Sequence, residues 1–157
     1  MQKIMPCLWF DDKAEEAINF YVSVFPNSKI LSATRYGDAG PLPKGTVLTV
    51  TARLHGQEFM ALNGGPVFTF SPAVSFIVNC QTQGEVDHLW DTLSHGGEPG
   101  QCGWIKDRFG LTWQIVPTVL GELLNGRDPE RAKRVMTAML QMCKIEISGL
   151  KRAYEQR

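Results

Sequence analysis

The sequence is short of the residues that most often announce a chemistry. It has three histidines in 157 residues, His55, His88 and His95. They fall in a hairpin turn, mid-helix off the apolar stripe, and at a helix end. Each reads as a solvated surface residue rather than a ligand, with His95 also placed to favour its helix C-terminus. The four cysteines, Cys7, Cys80, Cys102 and Cys143, form no CxxC pair and no dense framework. That excludes a zinc ribbon or a disulfide scaffold and predicts reduced thiols in a cytoplasmic protein. Charge of one sign is missing too: 16 basic and 16 acidic residues cancel. A nucleic-acid partner, which needs a basic surface, and a polybasic membrane contact are both excluded. No apolar run approaches the ~20 residues needed to span a bilayer, and the N-terminus has no long apolar signal core. A glycine-rich turn between a strand and a helix, the usual cradle of S-adenosylmethionine, is also absent.

What is present is an ordinary globular composition, 43% apolar and 20% charged, in a length that suits one domain or two small modules sharing a core. Lys3 to Phe10 reads as a strand. A helix follows from Asp12, which with Glu15 resembles a capping box, and Ala14, Ala17, Ile18, Tyr21, Val22 and Phe25 form its stripe. Ser28–Tyr36, Thr46–Leu54 and Gln57–Leu62 read as strands, the last two joined by the turn His55-Gly56. The pattern then repeats: a strand over Pro72–Cys80, a helix opened by Thr82 and Glu85 with Val86, Leu89, Trp90 and Leu93 on one side, then strands over Glu98–Cys102, Gly103–Lys106 and Leu111–Val116. The helix starts at Asp12 and Thr82 set an offset of about seventy residues. Beyond Pro117, Gly121 to Arg127 reads as a loop or short turn. Asp128-Pro129 opens a helix with the stripe Ala132, Val135, Met136, Met139, Leu140 and Cys143, and Glu146–Tyr154 reads as a second helix. A Met-rich face of this kind is core or a subunit contact.

The predicted fold is α+β: paired βαβββ modules, the sheets curving into an open barrel with the helices outside, plus C-terminal helices. Module one covers 1–66, module two 72–117, and the helical tail 118–157. Short turns between the later strands suit antiparallel pairing and argue against a Rossmann arrangement.

The repeat resembles the vicinal oxygen chelate superfamily of glyoxalase I, bleomycin-resistance proteins and extradiol dioxygenases. More closely it is similar to the PhnB-like, demethylubiquinone methyltransferase-like branch. The carrying motifs are Leu8-Trp9-Phe10-Asp11, Ala14-Glu15-Glu16-Ala17 with Phe20-Tyr21, Phe59 to Pro66, and Gly100-Gln101-Cys102-Gly103-Trp104 running into Asp107-Arg108-Phe109-Gly110-Leu111-Thr112-Trp113-Gln114-Ile115. A tail like Asp128 to Ala132 with Met139 to Met142 is also typical of the branch. The resemblance implies a homodimer. In metal-dependent relatives it implies four His and Glu ligands on the first, fourth, fifth and eighth strands. Here those strands offer Met5, Cys7 or Trp9, then Ala61 or Asn63, then Ala73 or Ser75, and finally Gln114. None is a histidine or carboxylate, and neutral amides and hydroxyls hold Zn, Ni, Mn or Fe(II) weakly.

The expectation is therefore a protein that binds a small organic molecule without metal or cofactor, in a pocket lined by Cys7, Trp9, Asn63, Ser75 and Gln114. Two other readings stay open. One is an enzyme, of glyoxalase type or the methyltransferase of the branch label, although Asp107, the nearest carboxylate, reads as a turn residue making a local bond. The other is a dimeric scaffold with no ligand. Trp9 as core, Gln114 as a backbone partner and Cys7 as an inert thiol are the structural alternatives to a binding role.

Overall fold

The computed structural model describes residues 2–156 and divides into two compact units, 1–70 and 71–157. In the first, β1 (Cys7–Phe10) is followed by α1 (Ala14–Val24), β2 (Lys29–Arg35), β3 (Val47–Leu54) and β4 (Gln57–Asn63). The strands form one sheet in the order β1-β4-β3-β2, with β1 parallel to β4 and the rest antiparallel. The β3–β4 hairpin turns on two residues, His55 and Gly56, at φ 46° and 87°, the left-handed pair that matches the twist of its strands. Leu8, Phe10, Val50, Ala52, Leu54, Phe59 and Ala61 are buried on one side with Ala14, Ala17, Ile18, Tyr21 and Val24 of α1. Strand β2 is an edge, exposed at all seven residues, with irregular register between Ile30 and Ser32 and between Thr34 and Arg35.

The second unit repeats the pattern. β5 (Phe76–Cys80), α2 (Gln83–Ser94), β6 (Glu98–Pro99), β7 (Trp104–Lys106) and β8 (Thr112–Pro117) give a sheet of order β5-β8-β7-β6, again with its first and last strands parallel. Each sheet is open, with two edge strands. Three helices follow: α3 (Thr118–Leu124), α4 (Pro129–Leu140) and α5 (Ile147–Glu155). Leu120, Val135, Ile145 and Leu150 make their buried core, with Val116 of β8 packed against it.

Several boundaries differ from the sequence reading, each for a local reason. Helix α1 begins at Ala14, and its first amide is met by Asn63 rather than by Asp12. Strand β5 starts only at Phe76, because Ser71 turns the chain, its carbonyl taking the Val74 N–H at 3.3 Å and its hydroxyl the Ala73 N–H at 3.1 Å. The stretch from Gly121, expected as a loop, lies in α3: Leu120, Leu123 and Leu124 share one helical face and pack in the tail core, which outweighs the glycine. Cys143 falls beyond α4, and Met136 and Leu140 of the expected stripe are 39% and 55% exposed.

Candidate functional site

Strand alternation sorts each sheet into a side facing its helix and a side facing away. In the first sheet the side away from α1 carries Cys7 and Trp9 of β1, in register with Met60 and Leu62 of β4, and Thr49 and Thr51 of β3 opposite Leu62 and Met60. Cys7 is exposed, yet partial desolvation by its neighbours raises its thiol pKa, which keeps it protonated at neutral pH. Trp9 is half-buried. Its indole N–H donates to the Gly65 carbonyl at 2.9 Å, and its ring meets Phe68 edge-on at 5.0 Å. A Cβ on Gly64 would stand 2.3 Å from the same indole. The glycines after β4 thus let the backbone close over Trp9, which gives this tryptophan a structural duty.

Asn63 lies on the opposite side, toward α1, because it is paired with Phe10 rather than Trp9. It is 2% exposed. Its Oδ1 accepts the Ala14 N–H at 2.8 Å, its Nδ2 donates to the Val47 carbonyl at 3.0 Å, and its own carbonyl accepts the Tyr36 hydroxyl. The side-chain amide is thereby engaged at both ends. On β4 the residues that share a side with Cys7 and Trp9 are Glu58, Met60 and Leu62, of which Met60 and Leu62 are their register partners, as parity alone would have found once the register with β1 was known.

In the second sheet Gln114 and Ser75 do come together. Gln114 Nε2 donates to Ser75 Oγ at 2.9 Å, and both residues are half-buried. Trp104 of β7 and Ile77 of β5 are the register partners of Gln114, one on either side. Neither was singled out from the sequence, since the hairpin register that places Trp104 beside Gln114 is not visible there. Val116, two residues further along and on the same side, abuts the tail core, so the tail borders this surface. Thr112, Gln114 and Val116 alternate with the buried Trp113, Ile115 and Pro117 as the strand pattern requires, although Thr112 is buried as well.

Asp107 is 3% exposed and knots the β7–β8 turn. Its Oδ1 accepts the amides of Phe109 and Leu111 at 2.9 and 3.0 Å, and its Oδ2 accepts the Trp113 indole N–H at 2.8 Å. His55 Nδ1 lies 3.2 Å from the Pro26 carbonyl, at the turn. Among the described residues no group of three His, Cys, Asp or Glu side chains is placed to hold a metal ion.

Two open four-stranded sheets built from βαβββ repeats define a protein of the vicinal oxygen chelate fold. The structure is similar to the fosfomycin resistance protein FosX of Listeria monocytogenes, with a TM-score of 0.50 at 13% identity over 78% of this chain and 97% of that one. It is similar as well to a protein of Pseudomonas aeruginosa, with a TM-score of 0.63 at 19% identity over 74% of this chain and 98% of that one. Likeness at these identities is one of fold. Within that class the chain belongs to the 3-demethylubiquinone-9 3-methyltransferase family, whose model matches residues 2–116. It is 40% identical to the PhnB protein of Bacillus cereus, with a TM-score of 0.67, over 74% of this chain and 100% of that one. No match was found among proteins of curated function. The tail, read from its sequence as typical of the branch, lies outside the residues matched by the family model.

The family description implies a methyl donor, and the superfamily a divalent metal. The residues fit neither. The strand-to-helix connections are Asp11-Asp12-Lys13 and Gln81-Thr82, with no glycine to let a nucleotide-type donor approach the backbone. On the sides away from the helices the groups around Cys7 and Gln114 are a thiol, hydroxyls and an amide, a set that binds first-row metals poorly. The Glu58 carboxylate, which shares that side of the first sheet, is held by Arg53 at 3.2 Å and by the Gln2 backbone amide at 3.3 Å.

Proposed function

We propose that this protein binds a small organic molecule, without a metal, on the side of its second sheet that carries Gln114. The observation that carries the reading is the Gln114–Ser75 pair at 2.9 Å, set beside the half-buried indole of Trp104 and the exposed side chain of Ile77. One amide hydrogen of Gln114 is used on Ser75. Its carbonyl oxygen and second hydrogen have no other hydrogen-bond partner among the described residues. An oriented amide between apolar and aromatic walls is the usual make-up of a small-molecule site. Cys7 and Trp9 occupy the equivalent side of the first sheet and are candidates for ligand contact there. Acid–base catalysis has less support, because Asp107, the carboxylate singled out from the sequence, already accepts three hydrogen bonds.

We infer in addition a cytoplasmic homodimer. Four free thiols suit a reducing compartment. Met136 and Leu140, exposed on α4, suit a contact between two copies.

Native mass spectrometry of the untreated protein, with elemental analysis of the same sample, tests these points together. The expected result is a dimer carrying an extra organic mass and no stoichiometric transition metal. Gln114→Ala should keep its melting behaviour and lose most of that mass, since a lost hydrogen bond of about 1 kcal/mol lowers occupancy several-fold. A bound transition metal, or unchanged retention in Gln114→Ala, overturns the reading.

A further inference from the structure

Two of the four cysteines lie side by side. Cys102 sits in the turn leading into β7, and Cys143 in the stretch between α4 and α5. Consecutive backbone hydrogen bonds hold the two segments together: the Cys102 N–H donates to the Met142 carbonyl and the Gly103 N–H to the Cys143 carbonyl, each at 2.8 Å. With the first bond in place, covalent dimensions limit the two Cα atoms to at most roughly 7 Å. Disulfides bridge Cα separations of about 4.4–6.8 Å. The side chains converge on the same corner. Cys102 Sγ lies 3.6 Å from the Met139 carbonyl at the end of α4. Cys143 Sγ accepts from Gln101 Nε2 at 3.5 Å, so the exposed thiol already reaches the turn that holds Cys102. Cys102 also occupies a left-handed backbone position, φ 57°, where a glycine or asparagine would be easier.

The other thiols differ. Cys80 is fully buried, and burial together with the charge of Glu85 pushes its pKa up to about 12, which leaves it inert at neutral pH. Cys7 belongs to the other unit.

We propose that Cys102 and Cys143 are an oxidation site, closing to an intramolecular disulfide when the protein meets a two-electron oxidant of the peroxide class. The exposed Cys143 thiolate attacks one peroxide oxygen. The O–O bond breaks, the departing oxygen takes a proton to leave as water, and a sulfenic acid remains. The Cys102 thiolate attacks that sulfur, the S–S bond forms, the S–O bond breaks, and the hydroxide leaves as a second water after taking a proton. Two thiols give up two electrons and two protons, and one peroxide becomes two waters. The product fastens the junction of α4 and α5 to the turn before β7.

The test is made on the reduced, folded, full-length chain. It is treated with hydrogen peroxide, the remaining thiols are alkylated, and the digest is mapped without reductant. The expected result is a linked peptide pair containing Cys102 and Cys143, lighter by two hydrogens, in a chain of monomer mass, reversed by dithiothreitol, with Cys80 still alkylated. Oxidation should raise the melting temperature of the wild type and leave that of Cys143→Ser unchanged. Cys102→Ser should also lose the linked pair. Should that variant misfold by circular dichroism, the exposed Cys143→Ser carries the comparison alone. Cys143 advancing to sulfinic acid while Cys102 stays alkylatable overturns the proposal. So does linkage that forms as fast in urea as in the folded protein.

Discussion

At the scale of single residues, the Asn63 side chain ties the end of β4 to the start of α1 and to β3. It supplies the acceptor that starts α1 and the donor that holds Val47, the first residue of β3. Asn63→Ala removes a helix cap and leaves the Val47 carbonyl without that donor, a combined cost of about 2–3 kcal/mol. The expected outcome is a lower urea midpoint with an unchanged slope. Ligand retention, measured below the transition, stays at the wild-type level, because Asn63 faces α1. A strand-end asparagine looks the same in sequence whether it meets a ligand or a helix start, and only the pairing with Phe10 decides. Gln114 was easier to place. The alternation of Thr112 to Pro117 fixes its side from the sequence alone, whereas its partner Ser75 and its neighbour Trp104 depend on register between distant strands.

Among the elements, the tail is fastened to α2 by polar contacts. Gln83 holds both ends of one turn, donating to the Ile145 carbonyl at 3.1 Å and accepting the Ile147 N–H at 2.7 Å. Lys144 sits 2.9 Å from Asp87. Hydrogen bonds from Gln83 and Lys144 hold the Asp87 carboxyl below its ordinary value, and the bond to Asp87 holds Lys144 above its own. A carboxylate with a depressed folded-state pKa contributes stability above its unfolded pKa and loses it as pH falls through the folded one. Lys144, raised, loses its share only as pH climbs through its folded value. Amide exchange in α5 should therefore quicken as pH falls below the ordinary carboxylate range, after correction for the intrinsic rate. Asp87→Asn should remove that step. Exchange that tracks the intrinsic rate in both proteins would count against this fastening. Helix starts at Thr82 and Asp128 were legible because caps are local: Thr82 Oγ1 takes the Glu85 N–H at 3.2 Å, and Asp128 Oδ1 takes the Glu130 N–H at 3.0 Å. Glu85, however, reaches back to the Gln81 amide at 3.0 Å. The third helix was hidden by Gly121, since its stability comes from contacts with Val135, Ile145 and Leu150 that lie far along the chain.

For the whole molecule, the repeat of strand, helix and three strands was readable because each unit follows simple periods, 3.6 in α1 and α2 and 2 in β3 and β8. The parallel closure of β1 on β4 and of β5 on β8 was not, because it joins the first and last strands of each repeat. The family match ends at residue 116, and the Bacillus cereus relative is covered in full by 74% of this chain. A chain ending at Pro117 is accordingly expected to fold. It should melt below the full-length protein, because Val116 and the turn at Gly103 lose the cover of the tail. Circular dichroism melts of the two chains check this, and equal melting temperatures would show the tail to be dispensable for stability.

Strand β2 has a consequence of another kind. Seven exposed residues at a sheet edge, two of them Ile30 and Leu31, offer a template onto which further chains could stack. The charges at either end, Lys29 and Arg35, and the two breaks in its register act as gatekeepers against that stacking. Neutralising both charges would cost the fold little, the exposed hydrogen bond from Arg35 to the Gly45 carbonyl at 3.0 Å being the contact at stake, while making concentrated preparations prone to fibril seeding.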